Sequence, residues 1–323
     1  MNPSTQTAPK KTNWKAKLFE QKSLIALILM IVVVSCLNPN FFTTGNILNI
    51  LRQTAVNAIL AVGMTLVILT AGIDLSVGSI LALSGAVGAS LIASEMPVFV
   101  SIVAALAVGT GLGAVSGVII AKGRVQAFIA TLVSMTLVRG LTLVYTDGRP
   151  ISTGFTDVAD QFAFIGTGYL LGIPFPVWLM AATFASAWYL LSHTRPGRYI
   201  YALGGNEEAT RLSGINVDRI KIMVYAICGF LSALAGLIVT SRLSSAQSTA
   251  GTGYELDAIA AVVLGGTSLM GGKGSVMGTL IGALIIGFLN NALNLLDVSS
   301  YYQMIAKAVV ILLAVLVDTK SKT

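Results

Sequence analysis

Of 323 residues, 55% are hydrophobic and 10% charged, and the mean hydropathy is +0.85. That much apolar surface excludes an ordinary soluble domain. At about 20 helical residues per crossing of a hydrocarbon core about 30 Å thick, the length holds about ten crossings and no separate catalytic domain. The formal charge of +7 does not mark a nucleic-acid binder: Lys10, Lys11, Lys15, Lys17 and Lys22 precede the first span, Lys320 and Lys322 follow the last, and such flanks read as membrane orientation.

In chain order, an N-terminal tail (1–22) leads into one all-α membrane domain (23–317). Spans are predicted near 23–37, 55–73, 75–93, 97–121, 125–145, 174–191, 222–239, 254–271, 276–296 and 301–317, followed by a short tail (318–323). Val33-Val34-Ser35-Cys36 has the look of a lipoprotein cleavage site, but the train of later spans favours an ordinary first span. With the lysine-rich N-terminus cytoplasmic, Lys122, Arg124, the loop 193–221, Lys273 and the C-terminal lysines fall on that side. Glu95, Asp147, Asp157, Asp160 and Asp297 fall opposite, so both termini are expected inside the cell.

Two polar breaks interrupt the apolar sequence. Asp74, two serines and Gly78 lie in 71–79, and a glycine-rich stretch that includes Gly272 lies in 265–275. Irregular backbone at membrane depth survives only inside protein or beside a water-filled cavity. Both are therefore expected to be broken or re-entrant segments, with Asp74, Gly78 and Gly272 as candidate turn or gating residues. A gapless offset of 200 aligns Ala58 with Ala258, Gly72 with Gly272 and Gly78 with Gly278, a weak sign of internal duplication.

The two cysteines offer no disulfide framework, and neither catalytic nor metal-ligating clusters are evident. The single histidine, His193, sits beside Arg195 at a span end and reads as a loop residue. Gly271-Gly272-Lys273-Gly274 lacks the spacing of a phosphate-cradling loop, so the chain is not expected to hydrolyse ATP or to bind a cofactor itself. Asn57, Asn290, Asn291 and Asn294 are candidate pathway residues, since amides match the hydroxyls of a polar solute and Asn290 and Asn294 share a helical face. Helix-to-helix hydrogen bonding is the plainer role for each. Glu255 and Asp257 are expected to open a span on the outer side, and Arg139 and Lys307 to snorkel.

The one long charged loop carries Arg195, Arg198, Glu207, Glu208, Arg211, Asp218, Arg219 and Lys221. Within it Asn206 is a plausible N-cap, Glu207 and Glu208 suit a first helical turn, Ala209, Thr210 and Arg211 continue the helix, and Gly214 can end it. Glu208-Ala209-Thr210, three residues, then Gly214 resembles the Glu-Ala-Ala, three residues, Gly coupling loop of bacterial ATP-binding-cassette import permeases, with Thr210 in place of the second alanine. From about Gln21 to Asp318 the chain resembles the permease subunits of ribose-type ATP-binding-cassette sugar importers. The match is carried by 73–79 (Ile-Asp-Leu-Ser-Val-Gly-Ser), 122–132, 201–214 and 253–269.

The resemblance implies a bacterial inner-membrane homodimer in lipid. It also implies a cytoplasmic ATPase with two fused nucleotide-binding halves that binds ATP and Mg, and a periplasmic sugar-binding protein that Glu255 and Asp257 would meet. The expected function is ATP-driven import of ribose or a related monosaccharide, with the 206–214 segment as the coupling helix. The competitors are an ion-gradient-driven sugar carrier, which needs a titratable site deep in a span, and an intramembrane enzyme, which needs a nucleophile and base.

Overall fold

Apolar sequence in hydrocarbon must close its backbone hydrogen bonds within each segment, so helices dominate. The computed structural model describes residues 22–299, 301–309 and 312. The tails 1–21 and 313–323 lie outside the described residues. The helices are α1 (Lys22–Leu37), α2 (Thr44–Leu69), α3 (Val77–Ala93), α4 (Val98–Ala121), α5 (Ala127–Thr146), α6 (Asp157–Thr167), α7 (Phe175–His193), α8 (Arg195–Gly205), α9 (Glu207–Leu212), α10 (Val217–Leu243), α11 (Tyr254–Leu264) and α12 (Val276–Leu295), then a helical stretch over 301–309. Strands β1 (Ile151–Ser152) and β4 (Ser245–Ala246) pair antiparallel, as do β2 (Tyr169–Leu170) and β3 (Ile173–Pro174).

Among the described residues six helices, α2, α4, α5, α7, α10 and α12, are long and apolar enough to cross a membrane, and α1 and α3 are shorter apolar helices. Two are interior. In α2, 78% of the most apolar window is buried and in α10 67%, against 22% in α4. These two run antiparallel in direct contact, since a Cβ at Gly63 would meet Cys228 and one at Gly72 would meet Tyr225.

Glycines let the other helices close on this pair. Gly109, Gly113 and Gly117 recur every four residues on α4 and face Gly229, Tyr225 and Ile222 of α10. A Cβ at Gly113 would stand 2.2 Å from the Tyr225 carbonyl oxygen. Without a hydrophobic drive between helices in lipid, such backbone proximity supplies the van der Waals contact. On the other side α12 runs antiparallel to α2, with Thr65 and Thr279 hydroxyls 2.7 Å apart and Gly287 against Thr54.

Both breaks are non-helical, but only the first is mostly buried: in the second, Leu269, Met270 and Lys273 are exposed. Segment 70–76 is irregular, and α3 starts only at Val77, running parallel to α10 with Leu81 against Gly236 and Gly85 against Thr240. After α10 and β4 the chain turns back inward. Gly251 touches Gly78, and α11 starts beside the middle of α2, where Asn57 meets Asp257. α11 then runs antiparallel to α12, with Ala261 against Gly282 and Gly265 against Gly278. Thus α2, α3 and α4 relate to α10 as α10, α11 and α12 relate to α2. The offset of 200 pairs α2 with α11 instead, so the packing relation differs from that alignment.

Several boundaries differ from the sequence-based spans for physical reasons. α2 begins at Thr44, not near 55, because Thr43 accepts a hydrogen bond from Asn46 N and caps it. The span expected over 254–271 is the eleven-residue α11, ended where Gly265 and Gly266 leave the helix and Gly266, Gly271 and Gly272 take positive φ. Helix α1 runs unbroken through Cys36. The charged loop is itself mostly helical, and α6 with its flanking hairpin was not foreseen. Its apolar run is too short for a span, and Thr156 caps it.

The α4–α10 contact predicts a sharp contrast between neighbouring glycines. Gly113→Ala should cost about 1–3 kcal/mol by overpacking. Gly111→Ala, whose Cβ would meet no atom outside its own stretch of helix within 4 Å, should be neutral or slightly stabilising. Thermal unfolding of the detergent-purified variants measures both.

Candidate functional site: a charged lever and a polar cavity

The charged segment folds as a lever of two short helices. Thr194 accepts from Gly197 N and caps α8, whose Ile200 and Leu203 are buried. Asn206 Oδ1 accepts from Ala209 N at 2.9 Å and starts α9, and Gly214, at φ +80°, ends the turn. Asn216 accepts from Arg219 N and starts α10. Each cap satisfies an orphan amide of a helix that would otherwise fray.

One carboxylate binds the lever to α10. Lys221 Nζ donates to both Glu207 oxygens at 2.8 Å, and Arg211 reaches Glu207 and Asp218 at 3.3 Å each. Burial alone would raise the Glu207 carboxyl. The hydrogen bonds and charge of Lys221, and then of Arg211, outweigh it and hold the group below its ordinary value. Glu208, Ala209 and Leu212 remain on the outer face, with Leu212 84% exposed. On its inner side the lever touches the second break. Tyr201 Oη donates to Gly274 O at 3.0 Å, Gly272 N donates to Leu69 O at 3.0 Å, and a Cβ at Gly204 would strike Leu69 O and Gly272 N. Between the lever and the first break lies an open cavity of about 480 Å³, lined among others by Gly72, Arg124, Glu207, Lys221 and Tyr225.

The first break meets the inward turn after β4 at a polar junction. Asp74 is fully buried, and its Oδ1 accepts from Ser76 N at 2.9 Å and Ser76 Oγ at 2.5 Å, which turns the chain into α3. Among the described residues its Oδ2 and the Tyr225 hydroxyl have no partner. Gly78 lies against Gly251, with Glu255 Oε2 3.0 Å from its Cβ position. Arg139, on α5, donates to Ser248 O at 2.9 Å and Ala250 O at 2.8 Å. It satisfies carbonyls of the inward-turning chain and does not snorkel.

A second cavity, of about 220 Å³, lies between α2, α11, α12 and the 301–309 stretch. Thr54 and Asn57 of α2, Asp257 of α11, Asn290 and Asn294 of α12, and Lys307 line it. Lys307 Nζ donates to Asp257 Oδ2 at 3.0 Å and Oδ1 at 3.3 Å, and Asn57 Nδ2 reaches Oδ2 at 3.4 Å. Thr54 Oγ1, Asn57 Oδ1 and Asn290 Oδ1 are buried without partners among the described residues.

The structure thus brings Asn57, Asn290 and Asn294 to one cavity and leaves Asn291 out of it. Asn291 exchanges amide hydrogen bonds with Asn46, at 2.8 and 3.1 Å, and ties α12 to α2. Asp257, expected at an outer span end, is 8% exposed and faces inward, while Glu255 stands at the junction with Gly78. Asp74 and Asp257 are both carboxylates within the helical body, a depth disguised by the glycine and serine around Asp74 and by the place of Asp257 near the start of an expected span. Sequence reasoning also missed Lys307 and Lys221 as partners. The only signal was a lone lysine in an apolar run and a basic residue fourteen positions after Glu207.

Residues 46–315 match the family described as branched-chain amino acid transport system / permease component. The chain is similar to the ribose import permease protein of Haemophilus influenzae, 74% identical over 301 residues and 93% of each chain. It is 70% identical to that of Escherichia coli K12 over 308 residues, covering 95% of this chain and 96% of the relative. Against that of Bacillus subtilis 168 it is 54% identical over 315 residues, covering 98% and 97%. No solved structure matches the chain.

Two measurements check the site's architecture. Arg139→Met leaves two carbonyls unsatisfied, at about 1–3 kcal/mol each, and should lower the melting temperature in detergent and speed thiol labelling of a cysteine placed at Ser248. The Glu207 clamp is fully present above the ordinary glutamate pKa of about 4.3 and is lost as pH falls through the depressed native value. The melting-temperature gap between the parent chain and Glu207→Gln should therefore be constant near neutrality and close below about pH 4.

Proposed function

The chain belongs to the permease-component family that matches residues 46–315, and on that premise we propose that it is the membrane subunit of an ATP-driven importer of ribose or a closely related monosaccharide. The observation that carries the substrate is identity of 54–74%, over nine tenths or more of both chains, to ribose import permeases.

The subunit sits in the bacterial inner membrane as a homodimer, with both termini and the α8–α9 lever on the cytoplasmic side; α1–α5, α7, α10, α12 and the last helix are its spans, and the inward turn after β4 with the short α11 makes one further crossing. A cytoplasmic ATPase with two fused halves binds ATP and Mg and grips the outer face of α9, where Glu208, Ala209 and Leu212 are exposed. A periplasmic sugar-binding protein delivers the substrate on the opposite side.

Closure of the ATPase displaces α9. Because Glu207 is fastened to Lys221, and Tyr201 and Gly204 to the 271–274 turn, that displacement reaches α10 directly and α11 and α12 through the second break. The cavity between α2, α11 and α12, with Asn57, Asn290 and Asn294, lies on the sugar's route. Amides there replace part of its hydration without holding it tightly, as passage requires. Asp74, Gly78 and Gly272 shape the two breaks about which the halves pivot.

Uptake of labelled ribose into proteoliposomes by the chain with its ATPase and binding protein tests this assignment. Transport that requires all three components and ATP is expected, and accumulation by the lone chain under an ion gradient would overturn it. Within that system Glu208→Ala and Gly214→Leu should lower uptake at least tenfold while ATP hydrolysis continues. Wild-type uptake by both would remove α9 from the coupling role.

A further inference from the structure

Asp257 and Lys307 form an ion pair where charge is expensive. Insertion scales place such a residue at the centre of a spanning helix at about 2.5–3.5 kcal/mol, and a buried pair recovers its desolvation only when the remaining donors and lone pairs are satisfied. Here they are not. Lys307 Nζ has three donors, and its hydrogen bonds among the described residues go to Asp257 alone. Asp257 Oδ2 receives a second donor, from Asn57, only at 3.4 Å. Thr54, Asn57 and Asn290, whose side-chain oxygens are buried without partners among the described residues, line the same cavity as the pair.

A brace between two helices would be better served by apolar packing or by closed amide pairs, such as Asn46 with Asn291 a few turns away. Surplus acceptors beside one cluster of ammonium donors are what a polyhydroxyl ligand completes, because each hydroxyl both donates and accepts. The charges matter too. Among the lining residues Asp257 and Lys307 are the only ionic groups, and they cancel, so a phosphorylated or carboxylated sugar would leave one buried charge uncompensated.

Resting on the cavity as part of the sugar's route, we propose that Asp257 and Lys307 are its specificity-determining pair, selecting a small neutral polyol with adjacent hydroxyls. The Asp257 carboxylate accepts two neighbouring hydroxyls through charge-assisted hydrogen bonds. The Lys307 ammonium donates to a ring or hydroxyl oxygen, and the carbonyls of Asn57 and Asn290 accept further hydroxyls. The pair holds sugar directly, separately from the filtering done by any delivery protein.

The test is saturation-transfer NMR on the full chain in lipid nanodiscs, without ATPase or binding protein, using ribose, 2-deoxyribose, xylitol and ribose 5-phosphate as probes. Saturable millimolar binding of ribose and xylitol is expected, with 2-deoxyribose at least fivefold weaker and the phosphate not bound. The double variant Asp257→Asn/Lys307→Gln, which leaves no lone buried charge, should keep the parent's melting temperature to within a few degrees and lose at least tenfold in ribose affinity. Equal binding of ribose and 2-deoxyribose by the parent chain, no saturable binding of any probe, or undiminished binding by the double variant would overturn the proposal. The parent chain's probe series decides the matter even if the double variant does not fold. ATP-driven ribose uptake by the assembled complex, measured beside it, reports separately on the transport assignment. Xylitol binding without ribose binding would leave the site standing and remove ribose.

Discussion

Every polar backbone group inside hydrocarbon needs a partner, and in this chain that demand is concentrated where two helices stop short. Segment 70–76 and the inward turn after β4 both carry non-helical backbone into the protein, and each survives because the other half supplies its contacts. Asp74 and Ser76 satisfy the first turn from within, and Arg139 satisfies the second from α5. The contact of Gly78 with Gly251 is possible only without side chains: a Cβ at Gly78 would lie 2.1 Å from the Gly251 oxygen. The polar cavity exists because α11 begins inside the protein, which brings Asp257 beside Asn57.

The same constraint links the lever to the interior. The 265–275 turn meets α8 through Tyr201 and Gly204, meets the end of α2 through Gly272, and continues into α12. A displacement at the charged surface therefore bears on backbone, where there are no side-chain rotamers to absorb it. Packed interiors shift between discrete arrangements more readily than they deform, which suits a device that must alternate between two states.

Much of this was legible in the sequence where the signal is local. Asn206 before two glutamates with Gly214 beyond specifies a capped helix, and the structure has it over Glu207–Leu212. The two breaks were visible because Asp74 and the glycines around 272 interrupt apolar runs. What stayed hidden is non-local. The glycines after 264 marked a break, but only contacts show that the helix before it is eleven residues long and starts inside the protein, beside Asn57. The three cavity asparagines could not be told from Asn291 by periodicity, since Asn290 and Asn291 are neighbours on one helix and differ only in which helix lies beside each. The ion pair of Asp257 with Lys307 joins residues fifty positions apart, and the snorkelling expected of Lys307 and Arg139 overlooked that each had acceptors within the protein.

Helix α10 runs unbroken through 27 residues, about 40 Å. At one end Lys221 is clamped by Glu207, and at the other Ser244 leaves the helix for β4, which pairs with β1. Such a rod has no hinge of its own, so it cannot twist at one end and rest at the other. Movement at Lys221 is therefore carried along a single helix to β4, so one element joins the charged surface to the opposite face of the protein.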